Sequence, residues 1–241
     1  VIDPLGLSKA YVARFEELGG RLALGDAGTL AQDGAEWSVT LSDGTTARAR
    51  DVVVALGPWA DVLSRRLGYN LPLAVKRGYH MHYKAQGNAV LNHPVLDTER
   101  GYNVSFPRVS GLTSRPIGFE GHGFVMTPLE SGLRIGGAVE FGGLEAAPNH
   151  ARTRILYDKA SQFVEGLPAF ETGTLWMGFR PSLPDSLPVI GAASRNPHVV
   201  YAFGHGHYGM TQSTVTADLV AALVAGRPPA IDLAPFSPQR F

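Results

Sequence analysis

The segment Gly204-His205-Gly206-His207-Tyr208-Gly209 follows a short apolar run at residues 199–203 and precedes a helical pattern. A strand, a glycine-rich turn and a helix in that order let backbone N–H groups approach a ligand, because glycine has no Cβ to stand in the way. The first turn of the helix adds unpaired N–H donors and the positive end of its dipole. Such a site suits an anion, or a ring on which negative charge develops. The same glycines equally serve a tight turn that needs positive φ, and the residues alone leave both uses open. Gly204, Gly206 and Gly209 spell G-x-G-x-x-G. This is not read as a pyrophosphate loop, because no acidic residue at the end of a second strand follows it.

Arg180 stands in a low-charge stretch beside Trp176, Phe179 and Pro181. An arginine among apolar neighbours needs a partner, since an unpaired buried charge is costly. Its planar fork suits a carboxylate, including that of a small substrate. An internal ion pair, with Asp185 for instance, or a solvent-facing guanidinium is the commoner use. Two His-x-His pairs occur, His80/His82 and His205/His207. Alternate strand residues share a face, so either pair could begin a metal site. No HExxH motif or acidic ligand cluster accompanies them, and no metal is expected. Tyr79, Tyr83 and Tyr102 could line a pocket or serve a core. There is no serine nucleophile elbow and no Walker loop.

The elements that would position these groups fall into three stretches. Asp3-Pro4 opens a helix carrying Leu7, Tyr11, Phe15 and Leu18, closed by Gly19-Gly20. Short strands are expected at 21–24 and 37–41, the second turning at Ser42-Asp43-Gly44 into 45–49. Residues 51–57 form a β-branched run closed by glycine, the pattern of a parallel strand buried on both faces. A helix follows at 59–67. From about Leu71, strands dominate at 75–83, 101–106, 123–128 and 133–140, with frequent Gly and Pro, which implies a mostly antiparallel sheet. A helix at 153–164 and a last helix at 211–225, capped by Gly226, complete the chain.

Composition narrows the chemistry. The 241 residues carry 21 basic and 21 acidic side chains, so no basic surplus exists for nucleic acid or an anionic membrane. There is no cysteine, which excludes disulfides, zinc–thiolate and iron–sulfur sites, a cysteine nucleophile and a cysteinyl cofactor link. The start, Val1-Ile2-Asp3-Pro4, has no basic segment before an apolar run and no initiator Met, which suggests a fragment or processed chain. No apolar stretch reaches about 18 residues.

Gly178-Phe179-Arg180-Pro181-Ser182-Leu183-Pro184-Asp185-Ser186-Leu187-Pro188-Val189-Ile190-Gly191, followed by Phe203-Gly204-His205-Gly206-His207-Tyr208-Gly209-Met210-Thr211, resembles the C-terminal signature of the D-amino-acid oxidase family. Val52-Val53-Val54-Ala55-Leu56-Gly57-Pro58-Trp59-Ala60 is similar to the family's "vvvAaGaWa" strand and turn, and Asp3-Pro4 to its "vdP" helix start. Within the family the chain looks closest to bacterial D-amino-acid dehydrogenase small subunits and hydroxyproline dehydrogenases.

The resemblance implies an α+β / α/β protein: an FAD-binding Rossmann-like domain at 1–69 and 174–241, with an antiparallel-sheet substrate domain at 70–173. It implies that Ala55, Gly57, Trp59 and Gly178 lie at the cofactor. It also implies that Gly204, His205, Gly206, Tyr208, Gly209, Met210 and Thr211 border the flavin ring. Reduced flavin carries charge at one ring edge, which fits the turn described above. Arg180 corresponds to the family's arginine facing the substrate carboxylate and the cofactor, and Tyr79 and His205 join it as candidate catalytic residues. The implied reaction is hydride transfer from the C–N carbon of a D-amino or cyclic imino acid to FAD. The electron acceptor is not specified. The family's N-terminal strand, GxGxxG loop and ribose-binding acid precede the point where this chain begins. The FAD domain is therefore expected to be incomplete, with a sheet edge and an apolar helix face exposed, and to depend on a segment or partner supplied elsewhere. The alternative is a catalytically incompetent piece serving as a structural or interaction module. The expected location is cytoplasmic, with peripheral attachment at the inner membrane left open.

Overall fold

The structure is a computed structural model that describes residues 4–82, 117–119, 122–129, 132–163 and 166–241. The strand expected at 101–106 and the side chains of Tyr83 and Tyr102 lie outside the described residues. The chain divides into two compact units, Asp3–Ala74 with Pro181–Phe241, and Val75–Arg180.

In the first unit, α1 (Pro4–Glu17) starts on its proline and ends before Gly19, whose φ of +89° only glycine adopts freely. Leu5, Tyr11, Phe15 and Leu18 are exposed. Strands β1 (Gly25–Asp33), β2 (Glu36–Leu41) and β3 (Thr46–Ala49) form an antiparallel meander, with Asp33 opposite Glu36 around the turn at Gly34. The first strand thus begins at Gly25, not at 21–24. Its only buried residue is Leu30, so what holds it is the ladder to β2 rather than an apolar face.

Strand β4 (Val52–Val54) runs parallel to β11 (Asn196–Phe203), and β11 pairs antiparallel with β10 (Val189–Ala193). β4 is the outer strand of that sheet. Val54 is buried, but Val53 is 43% exposed, so the strand is shorter than the apolar run suggested and covered on one face only. A 3-10 turn at Gly57–Trp59 leads into α2 (Ala60–Arg66). The core gathers Trp37, Val54, Leu63, Leu71, Val189, Val199, Tyr201 and Phe203. Helix α4 (Gly209–Val224) packs on β10 and β11, burying Leu219 and Ala222.

The second unit is a five-stranded sheet in the order β6 (Ile117–Phe119), β7 (Phe124–Leu129), β8 (Gly132–Glu140), β5 (Ala74–His82), β9 (Thr174–Ser182). The pairs β6–β7, β7–β8 and β8–β5 are antiparallel. β9 lies beside β5, which is why residues 174–180 belong to this unit. Helix α3 (Ala151–Ser161) covers one face, packing Leu156 and Ala160 on Met81, Met126, Leu133 and Ile135. No helix among the described residues is long and apolar enough to cross a membrane.

Candidate active site

Strand alternation sorts the second unit's sheet into two chemistries. On the α3 face stand Arg77, Tyr79, Met81 and Glu140; Leu175 and Phe179 of β9 point the same way. Arg77 is fully buried and satisfied: its guanidinium donates to the carbonyls of Gly143, Ala146 and Ala147 and lies 3.8 Å from Glu140. The Tyr79 hydroxyl donates to Glu140 and accepts the Asn149 N–H at 3.0 Å. That bond, more than any other contact, holds the Glu140 carboxyl below its ordinary range, with Arg152 and Arg77 adding charge. This network ties the loop before α3 to the sheet. Tyr79 is 2% exposed within it and stands on the face of β5 opposite to that of Gly78, since adjacent strand residues point to opposite faces.

The opposite face carries Gly78 and His80 of β5, Thr127 of β7, Arg134 of β8, and Trp176, Gly178 and Arg180 of β9. The described residues of this face include no carboxylate. Arg180 crosses Gly78, where a Cβ would meet its guanidinium at 2.5 Å. The Trp176 ring folds over Gly178, where a Cβ would lie 1.9 Å from it, and stacks on His80 at 4.3 Å. Gly178 therefore has a packing reason of its own, room for the Trp176 indole, distinct from the cofactor contact expected of it. Asp185 is engaged by Arg240 through two hydrogen bonds of 2.7 and 3.3 Å.

In the first unit, the parallel strands β4 and β11 end side by side, Val54 opposite Tyr201. The turn with Ala55, Gly57 and Trp59 and the turn with Gly204 and Gly206 thus leave from one end of the sheet, the end where parallel α/β sheets bind ligands. Gly57, Gly204 and Gly206 all have positive φ, +55°, +88° and +58°. Trp59 is 55% exposed, and Met210 is partly exposed. The Gly206 N–H donates to the Pro181 carbonyl at 2.7 Å, and His205 bridges Ser182. His205 Nε2 lies 3.0 Å from Thr216 Oγ1, and burial pushes the ring's pKa down. This contact ties the turn to the second turn of α4. Tyr208 is the N-cap of α4 and makes no side-chain capping bond. The N–H groups of Gly209, Met210 and Thr211 accordingly have no intrahelical acceptor. His207 lies against the Tyr208 ring. Among the described residues no group of three or more His, Asp or Glu could hold a metal.

Over residues 1–223 the chain is matched by the family model DAO, FAD dependent oxidoreductase. The chain belongs to that family. It is 42% identical over 193 residues to a D-amino-acid oxidase of Bradyrhizobium diazoefficiens, covering 78% of this chain and 40% of that protein. It is 32% identical over 200 residues to a D-amino acid dehydrogenase of Paramagnetospirillum magneticum, covering 83% and 42%. The chain thus spans less than half the length of these curated relatives. Among solved structures, a glycine oxidase from Geobacillus kaustophilus superposes with a TM-score of 0.69 at 25% identity, over 90% of this chain and 52% of that one. An L-proline dehydrogenase from P. horikoshii shares the fold, with a TM-score of 0.73 at 18% identity, over 99% and 60%. The family's FAD fits the residues present on one structural count. The turn at Gly206 has room where a side chain would stand, with Ser182 Oγ at 3.6 Å as its nearest neighbour, and the uncapped amides of α4 follow it.

Proposed function

We propose that this chain is the substrate-sheet and ring-facing part of an oxidoreductase that oxidises the C–N bond of a D-amino acid or a cyclic imino acid of the hydroxyproline kind. One observation carries this reading: the Arg180 guanidinium lies over Gly78, where a side chain on that strand would displace it. A planar fork in such a place suits a substrate carboxylate, held bidentately so that the carbon bearing the amine is fixed in orientation. Gly204 and Gly206 with the amides of Gly209, Met210 and Thr211 would hold the electron-rich edge of FAD, and Gly57 and Trp59 would border it. Bound FAD supplies the two-electron acceptor that no side chain here provides. His205 keeps the turn seated on α4, and burial favours its neutral ring. The amine enters unprotonated, so no general base is assigned.

The test is anaerobic addition of D-amino acids and hydroxyproline isomers to the protein carrying FAD. Bleaching of the flavin band is expected, at much higher substrate concentration in Arg180→Leu than in wild type. Retained flavin that none of these substrates bleaches would overturn the reading.

A second reading is favoured by the outer position of β4, the exposure of Val53 and the exposed apolar residues of α1. In it, this chain by itself is an incompetent module that retains no FAD until another segment covers that edge. A colourless chain after FAD addition and desalting supports it; a yellow one removes it.

A further inference from the structure

We infer that Arg134 is the centre of a second anion subsite, on the same sheet face as Arg180, and that it selects substrates carrying an acidic group in the side chain. The inference rests on Arg180 as the anchor of the first carboxylate. Arg134 sits on β8 directly opposite His82 of β5 and Thr127 of β7. Its Nε is buried and has no hydrogen-bond partner among the described residues. No carboxylate of the described residues pairs with it, and burial alone works against its charge.

The contrast with Arg77 is instructive. Both are arginines of one sheet, yet Arg77 is met by three carbonyls and Glu140, while the buried Nε of the partly exposed Arg134 has no partner among the described residues. A cation held in that state is destabilising by itself and becomes favourable when an anion arrives. The fork of an arginine favours a planar carboxylate over a spherical ion.

The placement points to one molecule spanning both arginines. Gly78, beneath Arg180, and His82, opposite Arg134, are four residues apart on β5, about 13 Å along the strand. β8 and β9 flank β5, so the two arginines are also about 10 Å apart across it. The Arg180 guanidinium already lies over Gly78 on β5, and a short dicarboxylic amino acid lying along β5 would span from it toward Arg134. Between them stand His80 and Trp176, whose stacked rings give such a chain a surface to lie on.

The experiment titrates the FAD-loaded protein with D-glutamate and D-glutamine, following tryptophan fluorescence and the flavin band. Wild type, Arg134→Met and Arg180→Met are compared. Wild type is expected to bind D-glutamate at least tenfold tighter than D-glutamine. Arg134→Met should bring D-glutamate to the D-glutamine value, leave D-glutamine within twofold, and keep or raise the melting temperature. Equal wild-type affinities, no binding of either ligand, or an equal loss for both in Arg134→Met would overturn the inference. Should Arg134→Met not fold, glutarate against butyrate on wild type decides it, since the subsite requires the diacid to bind more tightly. An Arg180→Met variant with unchanged affinities removes the anchor reading, whereas the acid-to-amide ratio judges Arg134 alone.

Discussion

Arg180 lies so close over Gly78 that a Cβ there would stand 2.5 Å from both the Cζ and one terminal nitrogen of its guanidinium. The neighbour that would have to give is the far end of a flexible side chain, so Gly78→Ala should fold. The guanidinium must swing off the strand, and with it the proposed carboxylate anchor. A weakened anchor that acts on ground state and transition state alike raises KM and spares kcat. The expected result is a KM raised tenfold or more with kcat within about threefold. Steady-state kinetics on wild type and Gly78→Ala check it, and an unchanged KM would detach Gly78 from the substrate site.

Tyr79 gives the opposite pattern. Its hydroxyl serves Glu140 and the Asn149 N–H on the α3 face, away from Arg180. Tyr79→Phe leaves both without that partner, and an unmet buried polar group costs about 1–3 kcal/mol. Chemical denaturation should show a loss in that range, while KM for the best substrate stays within about twofold. A large KM effect with unchanged stability would restore Tyr79 to the pocket.

How much of this was legible in the sequence follows from what each element depends on. Local signals carried α1, α2, α3 and α4 and the glycine turn, because caps, helical spacing and glycine positions are properties of neighbouring residues. β1 was not legible: Gly25–Asp33 buries only Leu30, so no alternation marks it. The run at 51–57 read as doubly buried because composition reports what a strand is suited to, whereas Val53 is exposed on the outer strand of its sheet. The face opposite α3 was half-legible. Arg180 stood out among apolar neighbours, but Gly78 matters only through a residue on the next strand, which no local pattern announces. Arg134 did carry a signal, a charge between Leu133 and Ile135 in an apolar strand. Parity along β5 would likewise have separated Tyr79 from the face of Gly78 and His80.

Gly204 combines two constraints. Its φ is +88°, and a Cβ would meet Leu183 Cδ1 at 2.7 Å. Gly204→Ala should therefore cost about 1–3 kcal/mol from backbone strain and push the turn off Leu183. If the turn holds the flavin edge, FAD retention after desalting falls along with the melting temperature. A variant destabilised to this extent that keeps all its FAD would show that the turn is structural only.

His205 predicts a pH dependence whose sign can be worked out. Burial lowers its pKa in the folded chain, so the folded state favours the neutral ring, and Thr216 is its partner. The unfolded chain takes up the proton near the ordinary value of about 6.5. As pH falls below that value, the unfolded state binds the proton first. Stability contributed by the neutral ring is therefore present above about pH 6.5 and is lost as pH drops towards the folded-state value. His205→Gln can keep a hydrogen bond to Thr216 and cannot titrate. Melting curves of wild type and His205→Gln, taken in steps from pH 7.5 to 5, should diverge below about pH 6.5, with wild type losing more. Parallel curves across that range would mean that His205 is accessible to protons in the folded protein, and its role as a neutral pin between the glycine turn and α4 would fall.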